Sequence, residues 1–433
     1  MRITQLDIKK YKSIQKFSLD NPGKIHIFIG ENNAGKTNII DAIHQLYSSD
    51  KQRLQYAQTK LSIEFSLKGK VSGNLIVTQN GAKKKFTLDG KMIFAKKAKK
   101  ILRSHIIRLS AVNKLDLKKL QSDYSVFSSR HKKMFSIFQN ILASQFKDIK
   151  IPKNIIQESF GKEKPGKYPQ HRLGDGFKQV FIILMYLFDP QYTILLLEEP
   201  EIHLHPSLVK KLLRILETKN LDNQIFITTH SPLLIHPGNL HRLFRVTKES
   251  GVTKVHSPRI SGRKLDLNRL RQELNAENTE MFFSDVVLLV EGPSDHILMR
   301  GLIDRFYKGK NDIKVIQIFG KSNVDLYAEL LEIFHVPYVV LLDRDALYDS
   351  GSKKVKKIVG SNFAETEQRN INLLKKQNIF ILPNGSIENN YPRKYQKRRK
   401  HKPQNALYAA TRITEQEFNS SKMKYIKEVI DSL

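Results

Sequence analysis

The strongest chemical signal in the chain is the run Gly30-Glu31-Asn32-Asn33-Ala34-Gly35-Lys36-Thr37. It matches G-x-x-x-x-G-K-[ST], in which the backbone N–H groups of a glycine-rich loop surround phosphate. The apolar residues before it predict a buried strand, and residues 38–43 predict the start of a helix. A strand, a glycine loop and a helix N-terminus form an anion-binding geometry. Lys36 would reach the β- and γ-phosphates of ATP, and the Thr37 hydroxyl would bind Mg²⁺.

A second apolar strand is predicted at residues 194–197, and it ends in Glu198 and Glu199. Ligands bind at the C-terminal ends of buried parallel strands, so both carboxylates would face the phosphate site. One acid would hold Mg²⁺ through water, and the other would polarise an attacking water molecule. His230 follows the next apolar strand, where it would hydrogen-bond a γ-phosphate.

A separate group of acids follows two later apolar runs. Glu291 ends the run 287–290, and Asp343 and Asp345 end the run 339–342. Parallel strands of one sheet would bring these carboxylates together, which requires cations to neutralise them. Hard oxygen ligands favour Mg²⁺ or Mn²⁺ over zinc, and two such ions suit cleavage of a phosphodiester.

The composition indicates a polyanionic partner. The chain has 74 Lys and Arg against 42 Asp and Glu, a formal charge of +32, and such an excess favours nucleic acid. The alternative is a lysine-rich composition of genomic origin. Two clusters stand out, residues 96–100 and 393–402, and the second interleaves Tyr395 and His401 with cations. This pattern suits phosphate contact with base stacking, or else a solvated loop.

The absence of cysteine excludes disulfides, thiolate nucleophiles and Cys-ligated zinc, and a cytoplasmic location is the natural expectation. No apolar run reaches the ~18 residues needed to cross a bilayer, so no membrane partner is expected. The N-terminus begins with an alternating strand pattern and not with a signal peptide.

The coarse pattern predicts an α/β fold in which a parallel sheet occurs twice. Short strands are predicted after the phosphate loop and at 101–110, and helices at 115–160. The βα alternation restarts near residue 284, which predicts domains at 1–280 and 281–433.

The order of motifs in the first domain resembles the ABC-type ATPase heads of the RecF/SMC class. The resemblance places Walker A at 30–37, a signature motif at 173–179 that includes Gly174 and Gly176, and Walker B at 194–199. His230 takes the place of the switch histidine. Two departures are Glu198, where the family usually has Asp, and Leu-Gly-Asp-Gly in place of Leu-Ser-Gly-Gly. In this family the signature of one head completes the nucleotide site of another, which implies a homodimer or a higher homo-oligomer.

The Glu-Gly strand followed by Asp-x-Asp looks like a TOPRIM domain. An ABC-type head followed by TOPRIM resembles the OLD (overcoming lysogenisation defect) family of ATPase–nucleases. The resemblance adds Asp295, Ser386 and Glu388 to the metal positions and proposes Lys402 as the basic residue near the scissile phosphate. It also assigns residues 115–160 to a helical dimerisation insert.

The leading hypothesis is therefore an ATP-regulated, metal-dependent DNA endonuclease or nickase in anti-phage defence. Some family members act alone and others with a helicase-like protein or a retron component, and the sequence leaves this choice open. The alternative hypothesis is a nucleotide-sensing scaffold that binds DNA or a partner without cutting it. A topoisomerase or primase is a weaker alternative, because about 90 residues after Asp345 leave little room for a breakage domain.

Overall fold

The computed structural model describes residues 1–48, 58–67, 70–80, 83–110, 116–146, 155–160, 174–218, 221–258, 266–275, 277–349, 352–359, 367–396 and 401–433. The chain forms two compact units. The first unit comprises Met1–Ile235 and Asn239–Ser257, and the second comprises His236–Gly238 and Pro258–Leu433.

The first unit contains twelve strands within the described residues. They are β1 (Arg2–Tyr11), β2 (Ile14–Asp20), β3 (Ile25–Ile29), β4 (Gln58–Leu67), β5 (Lys70–Asn80), β6 (Lys83–Leu88), β7 (Lys91–Met92), β8 (Ile106–Ser110), β9 (Ile194–Glu198), β10 (Gln224–Thr229), β11 (Leu243–Glu249) and β12 (Val252–His256).

The helices of this unit follow the strands in the usual α/β manner. They are α1 (Lys36–Gln45), α2 (Ala95–His105), α3 (Leu117–Arg130), α4 (Lys132–Gln145), α5 (Ile155–Phe160), α6 (Asp175–Phe188) and α7 (Pro206–Thr218). Helices α3 to α5 lie in the region predicted to be helical. Helix α6 is the most apolar, and all of its residues from Val180 to Phe188 are buried.

The described strands of the first unit form one sheet, in the order β7-β6-β5-β4-β1-β2-β12-β11-β3-β10-β9-β8. The strands β11, β3, β10, β9 and β8 pair in parallel, whereas β7 to β2 pair in antiparallel fashion. The three central parallel strands, β3, β9 and β10, are short and fully buried, as is typical of parallel sheets whose two faces are covered by helices. The predicted mixed α/β class is confirmed.

The predicted strand at 101–110 is wrong in its first half. Helix α2 continues to His105, and strand β8 begins only at Ile106. Ala98 and Leu102 are four residues apart and both face the core, which is the spacing of one helical face. The apolar residues 101–102 therefore belong to a helix, although they run almost directly into those of β8.

The second unit repeats the βα alternation predicted for this part of the sequence. Its described strands, β13 (Val286–Val290), β14 (Ile313–Gln317), β15 (Tyr338–Leu342) and β16 (Ile379–Ile381), form a parallel sheet in the order β14-β13-β15-β16. Its helices are α8 (Leu267–Glu273), α9 (Pro293–Phe306), α10 (Val324–Ile333), α11 (Lys353–Val359), α12 (Glu367–Lys375), α13 (Lys402–Arg412), α14 (Glu415–Phe418) and α15 (Lys424–Asp431).

Candidate nucleotide and metal sites

Three adjacent strands of the first unit end at the same edge of the sheet. Strand β10 lies between β3 and β9, with Thr229 opposite Ile29 and Thr228 opposite Glu198. Gly30, Glu199 and His230 therefore follow neighbouring strand ends. The structure thus brings together the phosphate loop, the second Walker B acid and the histidine.

The phosphate loop requires glycine at both of its ends. Gly30 has φ +150° and Gly35 has φ +99°, backbone conformations that side chains disfavour. An added Cβ would lie 2.1 Å from the Val246 carbonyl oxygen at Gly30, and 2.1 Å from Thr253 Oγ1 at Gly35. The loop therefore packs directly on β11 and β12, which fixes its shape.

Lys36 is buried and points back into the loop. Its Nζ donates to the carbonyl oxygens of Gly30 at 2.8 Å and Glu31 at 2.7 Å. Burial lowers the pKa of this ammonium group, while nearby Glu199 and Glu201 oppose that shift. A cavity of about 170 Å³ adjoins the loop, lined by Ser13, Asn33, Gly35, Lys36, Thr37, Asn38, Glu199 and Lys248. This cavity is the candidate phosphate site.

Glu198, the predicted magnesium residue, forms an ion pair inside the protein. Arg108 Nη2 lies 2.5 Å from Glu198 Oε1 and 2.7 Å from Asp41 Oδ1. Burial raises the pKa of Glu198, and the charge of Arg108 opposes that increase. The sequence analysis did not single out Arg108, although a cation inside the short run Ile106–Ser110 was a usable signal.

Glu199 and His230 face each other across the strand ends. His230 Nδ1 lies 3.5 Å from Glu199 Oε1 and 3.8 Å from Glu201 Oε1. Glu199 adopts φ +45°, which is uncommon for a residue other than glycine and is often found at functional sites.

Glu201 is a further acid that the sequence analysis did not single out. Its Oε1 accepts from Thr229 Oγ1 at 2.5 Å and from the backbone N–H of His230 at 3.2 Å. Burial raises its pKa. Glu201 therefore holds His230 in place, and the acidic run 198–201 was the signal that it belongs to this site.

The described part of the predicted signature motif begins at Gly174, because residues 161–173 lie outside the described ranges. Gly174 precedes α6, and a Cβ there would meet nothing within 4 Å among the described residues. At Gly176, in contrast, a Cβ would lie 2.6 Å from the His203 carbonyl oxygen. Of the two glycines, Gly176 is the one that close packing requires.

In the second unit, β13 and β15 are neighbours, with Val290 opposite Leu341. Glu291 and Asp343 therefore follow adjacent strand ends, and the backbone N–H of Asp343 lies 3.4 Å from Glu291 Oε2. Asp295 is buried in the first turn of α9, where its Oδ2 accepts from the Gly292 N–H at 2.9 Å.

The acids of the second unit repel one another. Burial raises the pKa of Asp295 to about 7, with added repulsion from Glu388 and Glu291. Burial also raises the pKa of Asp343 to about 7, and Asp295, Glu291, Asp345 and Glu388 all add to that increase. The pKa of Glu291 is raised by burial as well. These five carboxylates thus form one electrostatic group.

Cations reach only the edge of this group. Lys321 Nζ lies 2.6 Å from Asp345 Oδ2, and Lys402 Nζ lies 3.5 Å from Glu388 Oε2. Ser386 Oγ donates to the same Glu388 oxygen at 2.7 Å. Within the described residues, no ion pair involves Glu291, Asp295 or Asp343.

The chemistry of this donor set fits a hard divalent cation, since its oxygen ligands are carboxylates and three of them, the buried Asp295 and the half-buried Glu291 and Asp343, have no ion pair within the described residues. Across the described ranges, no three acidic or histidine side chains are grouped closely enough to enclose an ion as they stand. Side-chain rotation at the strand ends would therefore accompany binding. No helix in the part of the chain that the structure describes is long and apolar enough to cross a membrane.

Both units of the chain match models of known protein families. Residues 282–345 match the model described as overcoming lysogenization defect protein-like, TOPRIM domain. Residues 1–102 match an AAA domain model, and residues 95–236 match an AAA domain model described as putative AbiEii toxin, type IV TA system. The chain thus combines an AAA/ABC-type ATPase domain with an OLD-like TOPRIM domain.

Among curated proteins, the chain is 25% identical over 310 residues to endonuclease GajA of Bacillus cereus (strain HuB5-5), covering 59% of this chain and 43% of that protein. It is 26% identical over 191 residues to the OLD nuclease of Thermus scotoductus, covering 41% of this chain and 36% of the relative. The chain is a homologue of the GajA and OLD nucleases.

These matches span less than half the length of the curated relatives. Among solved structures, the SMC head domain from Thermotoga maritima aligns with a TM-score of 0.39 and 18% identity, covering 59% of this chain and 99% of that one.

Proposed function

We propose that the chain is an ATP-binding and ATP-hydrolysing, divalent-metal-dependent DNA endonuclease or nickase. The observation that carries this proposal is that Glu291 and Asp343 follow adjacent strand ends, with Asp295 in the first turn of the helix after Glu291. Burial and mutual repulsion raise the pKa of both Asp295 and Asp343 to about 7. The two relatives are named as an endonuclease and a nuclease, which supports the same reaction class.

In this proposal the second unit binds Mg²⁺ or Mn²⁺ through Glu291, Asp295, Asp343 and Asp345, with Ser386 and Glu388 at a second position. The bound ions would stabilise the oxygens that gain charge when a phosphodiester is cleaved. Ser386 orients Glu388 through its hydrogen bond. Lys402, which lies beside Glu388, would contact the scissile phosphate.

In the first unit, Gly30, Asn33 and Gly35 shape the loop that would bind ATP. Lys36 would contact its phosphates, and Thr37 and Glu198 would hold Mg²⁺. Glu199 would orient the attacking water, and His230, held by Glu201, would contact the γ-phosphate. Gly174 and Gly176 of a second copy would complete the site.

The proposed regulation is ATP-driven pairing of two heads, which gates DNA access to the acidic sites. It would operate in the cytoplasm in defence against phage, within a homodimer or a larger homo-oligomer. A helicase-like protein or a retron component is a candidate further partner. These points rest on the homology to OLD and GajA nucleases.

The test is incubation of the purified chain with supercoiled plasmid in Mg²⁺ or Mn²⁺, with and without ATP, beside the Glu291→Ala variant. We expect nicked or linear plasmid that disappears in the variant, while nucleotide binding is retained. Equal cleavage by the wild type and the variant would show that the cleavage site has been assigned to the wrong residues.

The second candidate function is a nucleotide-sensing scaffold that binds DNA or a partner without cutting. The observation that favours it is the ion pair between Arg108 and Glu198. Glu198 is the predicted magnesium residue, and its carboxylate is already paired with a cation of the chain. This candidate predicts tight DNA binding and an intact plasmid with every metal tested.

A further inference from the structure

Helix α2 presents a cationic surface that the proposed function does not use. Ala98 and Leu102 of this helix are buried in the core, and Lys96, Lys97 and Lys100 are exposed on its other side. Phe94, immediately before the helix, is 87% exposed. We call Phe94, Lys96, Lys97 and Lys100 the α2 surface.

The charge on this surface is not neutralised by its surroundings. Residues 83–105 contain nine Lys and Arg and a single acid, Asp89. The carboxylate of Asp89 accepts from the backbone N–H of Asn74. No ion pair within the described ranges involves the three exposed lysines of the α2 surface. A polyanion is therefore the complementary partner.

The geometry suits a nucleic-acid strand. Lys96 and Lys100 are one helical turn apart, roughly 6 Å along the axis, so that they can contact separate phosphates of one strand. Phe94 directly precedes α2, so its exposed ring lies near the N-terminal end of the helix. Aromatic rings stack on bases, but a duplex keeps its bases stacked on one another, so the ring favours an unpaired base.

An anionic membrane fits the α2 surface less well. Helices that bind membranes insert an apolar face between lipids. The apolar face of α2, which contains Ala98 and Leu102, is already packed against the sheet of the first unit. Among the described residues just before the helix, Met92 and Phe94 are left exposed for insertion, and two side chains supply too little apolar area for stable binding.

We propose that the α2 surface binds a single-stranded segment of nucleic acid, with the lysines on the phosphates and Phe94 stacked on a base. The proposal rests on the proposed function in taking DNA as the partner. It adds a second contact, in the ATPase unit and not among the acids of the TOPRIM unit, together with a preference for unpaired strands. Such segments occur at nicks, gaps and displaced strands.

The test measures binding of the full chain by fluorescence anisotropy in EDTA, so that no strand is cut. The probes are a 20-nucleotide oligo(dT), a 20-base-pair duplex, and vesicles containing phosphatidylserine. The variants are Phe94→Ala, Phe94→Leu and the triple variant Lys96→Gln/Lys97→Gln/Lys100→Gln. A matched control, Lys118→Gln/Lys133→Gln/Lys210→Gln, removes the same charge from exposed positions elsewhere in the unit.

We expect the wild type to bind oligo(dT) more tightly than the duplex. Both Phe94 variants should weaken oligo(dT) binding about tenfold, because leucine keeps the apolar bulk but cannot stack. The triple variant should lower the slope of log K against log salt by roughly 2, and the control should not. All positions are exposed, so unchanged thermal unfolding will show that the variants are folded.

Three results would overturn the inference: wild-type affinity in Phe94→Leu, an equal loss in the control variant, or vesicle binding through Phe94 without oligo(dT) binding. The plasmid assay on the same variants separates this inference from the proposed function. If the chain cuts plasmid but the α2 variants bind DNA as the wild type does, the nuclease proposal is supported and the α2 surface is not a DNA contact. If the α2 variants lose DNA binding but the wild type leaves the plasmid intact, the α2 surface is supported and the nuclease proposal is contradicted.

Discussion

In the first unit, Glu198 lies 2.5 Å from Arg108, and Lys36 is held by two carbonyl oxygens of its own loop. In the second unit, Asp295 is buried and Asp343 half-buried among other acids, and the ion pairs of the described residues reach only Asp345 and Glu388. The charges of the first site are therefore paired within the chain, whereas three acids of the second have no ion pair among the described residues, as the proposed cation site requires. Variants at each site can test this difference.

The largest expected effect is at Asp343. Asp343→Asn keeps the shape of the side chain but removes the charge that a divalent cation requires. We expect plasmid cleavage to fall by more than roughly 100-fold, since even residues that only support metal ligands commonly cost 10- to 100-fold. ATP affinity should not change, and a parallel loss of ATP binding would contradict the separation of the two sites.

The second effect is on stability. Arg108→Ala leaves Glu198 in a largely buried position without its cation, whereas Asp41 keeps its ion pair with Lys12, and we expect a loss of about 3 kcal/mol in the free energy of unfolding. Lys321→Ala is the matched change in the second unit. Its partner Asp345 is exposed, so that loss should stay below about 1 kcal/mol. Urea unfolding of both variants measures the difference, and equal losses would contradict the comparison.

A smaller effect is expected at Lys36. Lys36→Ala removes a charge-assisted contact with phosphate worth about 2 kcal/mol, which corresponds to roughly 30-fold weaker ATP binding by calorimetry. Binding of Mn²⁺ to the acidic site, measured in the absence of nucleotide, should be unchanged. A loss of Mn²⁺ binding in this variant would mean that the two sites are not independent.

An effect of similar size to that at Lys36 is expected in the pH dependence of stability in EDTA. The pKa of Asp343 is about 7 in the folded chain and near 4 when unfolded, so the folded state holds more protons between these values. The free energy of unfolding should therefore fall as pH rises from 4 to 7, by on the order of 2 kcal/mol. Asp343→Asn should flatten this slope.

Added Mn²⁺ gives the complementary result at pH 8. It should raise the unfolding temperature of the wild type, since a ligand that binds only the folded state stabilises it. The effect should be smaller in Asp343→Asn. An unfolding temperature of the wild type that does not respond to Mn²⁺ would contradict a cation site in the second unit.

The sequence predicted where both motifs lie in the fold because each motif is local, while the chemistry of the two sites stays a prediction. Gly30 to Thr37 and Glu291 follow apolar runs that could only be buried strands, and the structure has β3 and β13 there. Parallel strands end at one edge of a sheet, so the grouping of Glu291 with Asp343 followed from the pattern. The strand predicted at 101–105 failed because its apolar residues also suit one face of helix α2.

What the sequence by itself determined was the order of the motifs, the α/β class and the types of the residues that we propose to contact phosphate and metal. Only the tertiary structure decided which charges are neutralised. Arg108 reaches Glu198 because β8 pairs with β9, with Ser110 opposite Glu198. Glu201, which follows β9, accepts a hydrogen bond from Thr229 at the end of the neighbouring strand β10. Pairing between strands far apart in the chain brings such side chains together, and no local pattern encodes that register.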